Sequence, residues 1–174
     1  MRFAVTTSTL ALAVVLLGAA ADAQQPTPPA APAAPLPAAA AAPYGTPITI
    51  DQAKAAAAAA VAEANKNNWN YAVAIVEPNG ALVYFERMEG TQYSSANIAE
   101  NRARASARFR RPTKAFADRL AQNDLTVFAL EGAVPSEGGV PIIVGGKLIG
   151  AIGASGGTQP QDGQVAKAGA DAVK

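Results

Sequence analysis

Two stretches of this chain constrain its fold more than any others. Residues 71–76 (YAVAIV) and 81–87 (ALVYFER) are apolar runs separated by Glu77-Pro78-Asn79-Gly80, and residues 140–144 (VPIIV) and 147–154 (KLIGAIGA) are separated by Gly145-Gly146. Short apolar runs joined by Asn-Gly or Gly-Gly read as β-hairpins. Each hairpin commits two strands to antiparallel pairing, so the sheet is antiparallel at least in pairs. Gly150 and Gly153 within the last run point to close backbone approach.

The segments between and around the hairpins read as helices. Thr49 and Gln52 form a T-x-x-Q capping box that opens a helix running to about Asn65, where Asn67-Asn68 end it. Ser94 or Ser95 can cap a second helix from Ala96 to Arg110. Ala96, Ala99, Ala103 and Ala107 give it a small-residue face that lets a helix lie close to a sheet. Pro112 stops that helix and opens a short one from Thr113 to Ala121. Residues 126–132 carry no clear pattern, and a last helix follows Pro160. The order α, β-β, α-α, β-β, α predicts an α+β domain: an antiparallel sheet with a helical layer.

Composition narrows the chemistry. Of 174 residues, 44 are Ala and only 6% are aromatic, so the core rests on a few Val, Ile, Leu, Phe and Tyr side chains. The chain has no Cys and no His. That removes disulfides, thiol nucleophiles, zinc sites of the usual type, Ser-His-Asp triads and His-ligated haem. A formal net charge of +1 argues against a nucleic-acid partner.

The N-terminus reads as an address. Arg2, an apolar run from Leu10 to Ala20 and Ala21-Asp22-Ala23 have the order of a secretory signal peptide spanning 1–23. The run is too short to span a bilayer, which takes about 20 apolar residues. Residues 24–43 (QQPTPPAAPAAPLPAAAAAP) read as a disordered Pro/Ala tether. The expectation is an exported, most simply periplasmic, protein with one folded domain over 44–174.

Arg102, Arg104, Arg108, Arg110, Arg111, Lys114 and Arg119 form the sharpest local bias in the chain. They read either as an anion site, which guanidinium forks suit, or as a solvated helix face near a C-terminus. Ser155-Gly156-Gly157 invites a phosphate-loop reading but lacks the spacing; turn glycines are the plainer account. Glu86 and Glu89 would point to opposite faces of a strand and do not converge. Met88 could ligate haem iron or fill the core. Tyr93 could be an oxygen ligand to iron or a half-buried aromatic.

Four motifs in order resemble the GlcG/HbpS family of haem-binding-type proteins, whose domain also ends PduO-type proteins. They are ITIDQAKAAAAAAVAEA (48–64), YAVAIVEPNGALVYFERMEG (71–90), SSANIAENRARASARFRRPT (94–113) and the segment from Gly132 to Val173 holding GGVPI and KLIGAIGASGG. The resemblance implies a profilin-like sandwich, with a mostly antiparallel five-stranded sheet flanked by helices. It implies a homo-oligomer that binds haem or a related anionic tetrapyrrole, with a sensor-kinase or envelope partner unknown. It places Thr113 at the position of a hydroxyl ligand to haem, with Arg110 and Arg111 suited to the propionates. The alternative is a non-enzymatic oligomeric accessory protein that binds a small carboxylate. An enzyme is the weaker expectation, because no nucleophile–base pair is visible.

Overall fold

The computed structural model describes residues 41–174, so the proposed signal peptide and residues 24–40 of the tether lie outside it. Four helices, one 3-10 helix and four strands follow in the order expected: α1 (Ile50–Lys66), β1 (Ala72–Val76), β2 (Leu82–Arg87), α2 (Ser94–Phe109), α3 (Lys114–Ala121), η1 (Leu125–Ala129), β3 (Gly139–Val144), β4 (Lys147–Ser155) and α4 (Gln159–Asp171). The strands form one antiparallel sheet in the order β2-β1-β4-β3. Both hairpins form, and β1 joins them by pairing with β4.

The sheet has four strands, not five. Pro43–Ile48 does run beside the start of β4, in parallel: Leu148 N–H donates to Pro43 O, and Gly45 and Ile48 N–H donate to Leu148 O and Ile149 O, each at 2.8 Å. Pro47 has no N–H to give, and only one bridge forms, Tyr44 with Leu148. The β1–β2 turn falls at Pro78-Asn79-Gly80, as expected. Gly80 N–H bonds Glu77 O at 2.9 Å, so Pro78-Asn79 are the central residues and Gly80, at φ +93°, follows them. Proline fits the first central position of such a turn. Gly145 and Gly146, at φ +55° and +74°, do make the two-residue turn of β3–β4.

The two faces of the sheet are packed differently. One carries Tyr71, Val73, Ile75, Ile142 and Ile152 under α1 and α4, whose own buried faces are mostly Ala. The other carries Ala72, Ala74, Val76 and Ala151 under Ala99, Ala103 and Ala107 of α2. The small-residue face is thus real, apart from Ala96, which is only half-buried. Glycine on the sheet matches it: a Cβ on Gly153 would lie 2.0 Å from Ala99 O, and one on Gly139 2.4 Å from Arg102 O. The α2 backbone therefore rests directly on β3 and β4. Both core clusters are built from residues 48–173, within the one compact unit that Ala38–Lys174 forms.

Capping follows the sequence in part. Thr49–Gln52 forms the expected box on α1, and Thr158–Gln161 forms a second on α4. Neither Ser94 nor Ser95 caps α2: its N-cap position is Tyr93, and Ser95 is fully buried with its hydroxyl accepting from Ser155 Oγ at 3.3 Å.

Candidate functional site

β3 is an edge strand, and its outer side is where the candidate site forms. Thr113, between α2 and α3, bonds Gly139 twice: Gly139 N–H donates to Thr113 Oγ1 at 2.9 Å, and Thr113 N–H donates to Gly139 O at 3.0 Å. Pro141 lies two residues on, where the next outward N–H would be, so its missing donor costs nothing. A bulge between Ile142 and Ile143 shifts the register before the last pairs, Ile143 with Leu148 and Val144 with Lys147. The edge is therefore blunted against addition of a further strand.

A groove of about 640 Å³ follows this edge, between the α2–α3 junction and α4. Its apolar surface comes from Pro112, Val140, Pro141, Ile143, Ala170 and Val173. Its polar groups are Lys114, Glu137, Lys167 and Asp171. Lys114 bonds Asp118 at 2.6 Å, and that carboxylate holds its ammonium above the ordinary lysine range. Lys167 pairs with Asp171. Gly163 makes room for Glu137, whose carboxylate would lie 2.2 Å from a Cβ there. Clefts of about 300–1,000 Å³ with apolar walls and a few polar groups suit small-molecule ligands.

One wall is held by a buried ion pair. Arg102 Nη1 donates to Asp162 Oδ2 at 2.6 Å and to Ala154 O at 2.7 Å, and Nη2 donates to Ser136 Oγ at 2.5 Å. Asp162 Oδ1 accepts from Gly156 and Gly157 N–H at 3.1 and 3.0 Å. These glycine donors are thus committed to a carboxylate, which leaves the strand-to-helix turn as their role. Arg102 ties α2 to β4, to α4 and to the loop before β3.

The residues expected at a site fall into two places. Arg110, Arg111 and Thr113 sit at the α2–α3 junction. Arg110 adopts φ +52° as the C-cap of α2, with its guanidinium 5.2 Å from the Tyr44 ring centroid. Arg111 lies 6.0 Å from the Phe116 centroid. Thr113 is fully buried, its oxygen engaged with Gly139, so binding a metal through it would release that buried N–H. Met88 and Tyr93 follow β2, at the opposite edge of the sheet. Met88 packs on the core and its sulfur accepts from Tyr71 N–H at 3.4 Å. Tyr93 is 86% exposed beneath Arg87. The structure does not bring this second pair to the first group.

The basic stretch resolves into both of its readings. Arg102, Arg104, Lys114 and Arg119 have carboxylate partners; Arg108, Arg110 and Arg111 pair with none among the described residues. The described residues hold no cluster of three or more Asp and Glu suited to a metal ion. Sequence reasoning missed the groove floor and Lys167. The available signal was a proline inside an otherwise strand-like run and the i,i+4 spacing of Gly163 with Lys167 on α4.

An antiparallel sheet with helices on both faces and a cleft at one edge defines a small α+β ligand-binding domain. The model of the family described as haem degrading protein HbpS-like matches residues 48–171, and the chain belongs to that family. It is 41% identical over 85 residues to Protein GlcG of Escherichia coli strain K12, covering 48% of this chain and 63% of that protein. The chain thus spans less than two thirds of that relative's length. A Streptomyces reticuli HbpS double mutant shares 32% identity at a TM-score of 0.69, covering 84% of this chain and 99% of that one. A structure described as a PduOC:heme complex shares 23% identity at a TM-score of 0.67, covering 74% and 96%, and shows a common fold.

Proposed function

We propose that this chain binds haem or a related anionic tetrapyrrole in the groove along β3. The observation that carries the reading is the groove's make-up: about 640 Å³ walled by apolar side chains, with Lys114 and Lys167 in its lining as cations that can exchange Asp118 and Asp171 for a ligand's carboxylates. Family membership supports it. The residues fit the group as a porphyrin held by packing and by its propionates. Among the groove residues only lysine amines and carboxylates could reach iron, since the chain has no His or Cys. When bound, haem would supply the redox and oxygen chemistry of its iron. The chain's part is to exclude water along Val140, Pro141 and Val173 and to offer the propionates lysines that would leave their own carboxylates. Thr113 shapes the wall by fixing Gly139, and Arg111 adds positive charge at the junction.

We also read residues 1–23 as an export signal, and the protein as a homo-oligomer that works outside the cytoplasm. N-terminal sequencing of the protein from its native host, expected to begin at Gln24, tests export; sedimentation tests assembly.

Hemin titration of residues 41–174 tests the binding proposal. A saturable Soret change at one equivalent per chain is expected, weakened about tenfold or more by Lys167→Glu and by Val140→Asp. A spectrum indifferent to both variants would remove the groove. The family description names haem degradation, so the same mixture is followed with a reductant and air. Bleaching of the Soret band would make the chain a degrading enzyme; a stable band would make it a holder.

A further inference from the structure

One end of the sandwich collects exposed apolar side chains and cations, most of which lie outside the groove. The β1–β2 turn (Glu77–Gly80), the β3–β4 turn (Gly145-Gly146), the start of α1 and the end of α2 all meet there. Direct contacts join them. Arg108 Nε donates to Asn79 O at 3.4 Å, Tyr44 Oη donates to Arg108 O at 3.1 Å, and a Cβ on Gly45 would lie 2.9 Å from Lys147 Cβ. Ile48 N–H bonds Ile149 O just before α1 begins.

The eight large apolar side chains exposed in the described residues include four at this end: Tyr44 at 50%, Ile50 at 47%, Leu82 at 45% and Ile143 at 45%. Cations lie beside them, the Arg110 guanidinium 5.2 Å from the Tyr44 ring centroid. Arg108, Arg110, Lys147 and Lys54 have no carboxylate partner among the described ion pairs, while Arg104 is matched by Glu100. The carboxylates at this end are Glu77, which is hydrogen-bonded to Asn79, and Asp51 in the first turn of α1. Four cations against two carboxylates leave an excess of positive charge.

Exposed aliphatic and aromatic side chains interspersed with Arg and Lys are the composition of surfaces that rest in the headgroup region of a bilayer. We propose that this end docks peripherally on an anionic lipid surface, with Tyr44, Ile50 and Leu82 entering the interface and Arg108, Arg110 and Lys147 meeting the headgroup phosphates. No helix among the described residues is long and apolar enough to cross a membrane, so contact is through the surface. Lipid is favoured over a second copy because the end, formed by two turn tips and two helix ends, carries one sign of excess charge and so complements an anionic surface. Two copies of it would repel.

Co-sedimentation of residues 41–174 with vesicles of phosphatidylcholine, alone and mixed with phosphatidylglycerol, tests this. Binding to the mixed vesicles only is expected, falling as salt is raised. Each cation near an anionic membrane is worth about fivefold in affinity, so Arg108→Glu combined with Lys147→Glu should weaken binding more than tenfold. Leu82→Ser combined with Ile50→Ser should weaken it without changing its salt dependence. Lys66→Glu, at the far end of α1, makes a charge change away from the surface and should leave binding nearly unchanged. Thermal unfolding matched to the parent shows that each variant is folded. The proposal is overturned by absence of binding to the mixed vesicles, or by equal loss in Lys66→Glu. It is equally overturned if sedimentation velocity shows self-association that Leu82→Ser and Ile50→Ser abolish, which would make this end an interface between copies.

Discussion

Thr113 stands in for a strand partner of Gly139. Its hydroxyl accepts the Gly139 N–H at 2.9 Å and its own N–H donates to Gly139 O at 3.0 Å, so one residue of a helix junction closes the open edge of β3. Gly139 is buried, so without Thr113 both of its backbone groups would lack partners.

Thr113→Val should therefore destabilise the fold by about 1–3 kcal/mol, the cost of leaving a buried N–H unpaired. Thr113→Ser keeps the oxygen and should lose less than about 1.5 kcal/mol, the scale of a methylene removed from a packed core. Urea unfolding of the two variants measures this. Hemin bound to the folded Val variant should keep the parent's Soret maximum; a displaced maximum would assign the hydroxyl to iron.

Gly153→Ala should cost about 3 kcal/mol or more. Its new methyl would meet Ala99 O, a backbone atom of α2 that cannot rotate away. Gly146→Ala has open space around it, and its cost should reflect only the strain of φ +74°, about 1 kcal/mol. Comparing their unfolding midpoints separates close approach from turn conformation as the reason for each glycine.

Arg110 carries a strained backbone, at φ +52°, where glycine usually closes a helix. Arg110→Gly relieves about 1 kcal/mol of that strain and loses the stacking on Tyr44, worth about 0.5–1 kcal/mol at an exposed site. Stability should change by less than about 1 kcal/mol. This variant thus removes the charge without disturbing the fold, and its hemin affinity reads out whether Arg110 helps hold an anion.

Most of the architecture was legible because the relevant signals are local. The Gly145-Gly146 turn, the T-x-x-Q box and the Ala spacing of α2 are each decided within a few residues. What escaped depends on partners far apart in the chain. Arg102 looks like one more cation in a basic run, yet it is buried against Asp162, 60 positions away. The fifth strand is absent because Pro47 interrupts a segment whose bridge partner, Leu148, lies 104 positions beyond Tyr44. Met88 and Thr113 are each legible as candidate haem ligands, but their separation needs the strand order, which sets β2 and β3 at opposite edges of the sheet.

The Arg102–Asp162 pair should behave as a buried couple. Both side chains are almost fully buried, and removing one partner leaves an uncompensated charge. Asp162→Ala should cost about 3–5 kcal/mol, as should Arg102→Met. The double variant should cost clearly less than the sum, since it leaves neither charge exposed to a low-dielectric interior. A double-mutant cycle by urea denaturation measures the coupling. Additive losses would show that Ser136, Ala154 and the two glycine N–H groups, not the mutual pair, carry the stabilisation.

Tyr71 predicts how stability depends on alkaline pH. Its ring is fully buried in the core, and its hydroxyl has no hydrogen-bond partner of normal geometry. Burial, followed by the nearby Asp162 charge, pushes its pKa well above the ordinary tyrosine value. The native state therefore keeps a proton that the unfolded chain, with tyrosines titrating near 10, gives up. Below about pH 9 both states are protonated and the group has no effect. As pH rises through 10 the unfolded state gains by ionising, and stability should fall by about 1.4 kcal/mol per pH unit from this residue. Tyr84, held up by its hydrogen bond to Glu86, adds a smaller slope in the same direction. Tyr71→Phe removes an unpaired buried hydroxyl, so it should be near neutral in stability at pH 7 and flatter above pH 10. Urea unfolding of both proteins across that range measures the slopes, and equal slopes would mean that the Tyr71 phenol ionises in the native state as readily as in water.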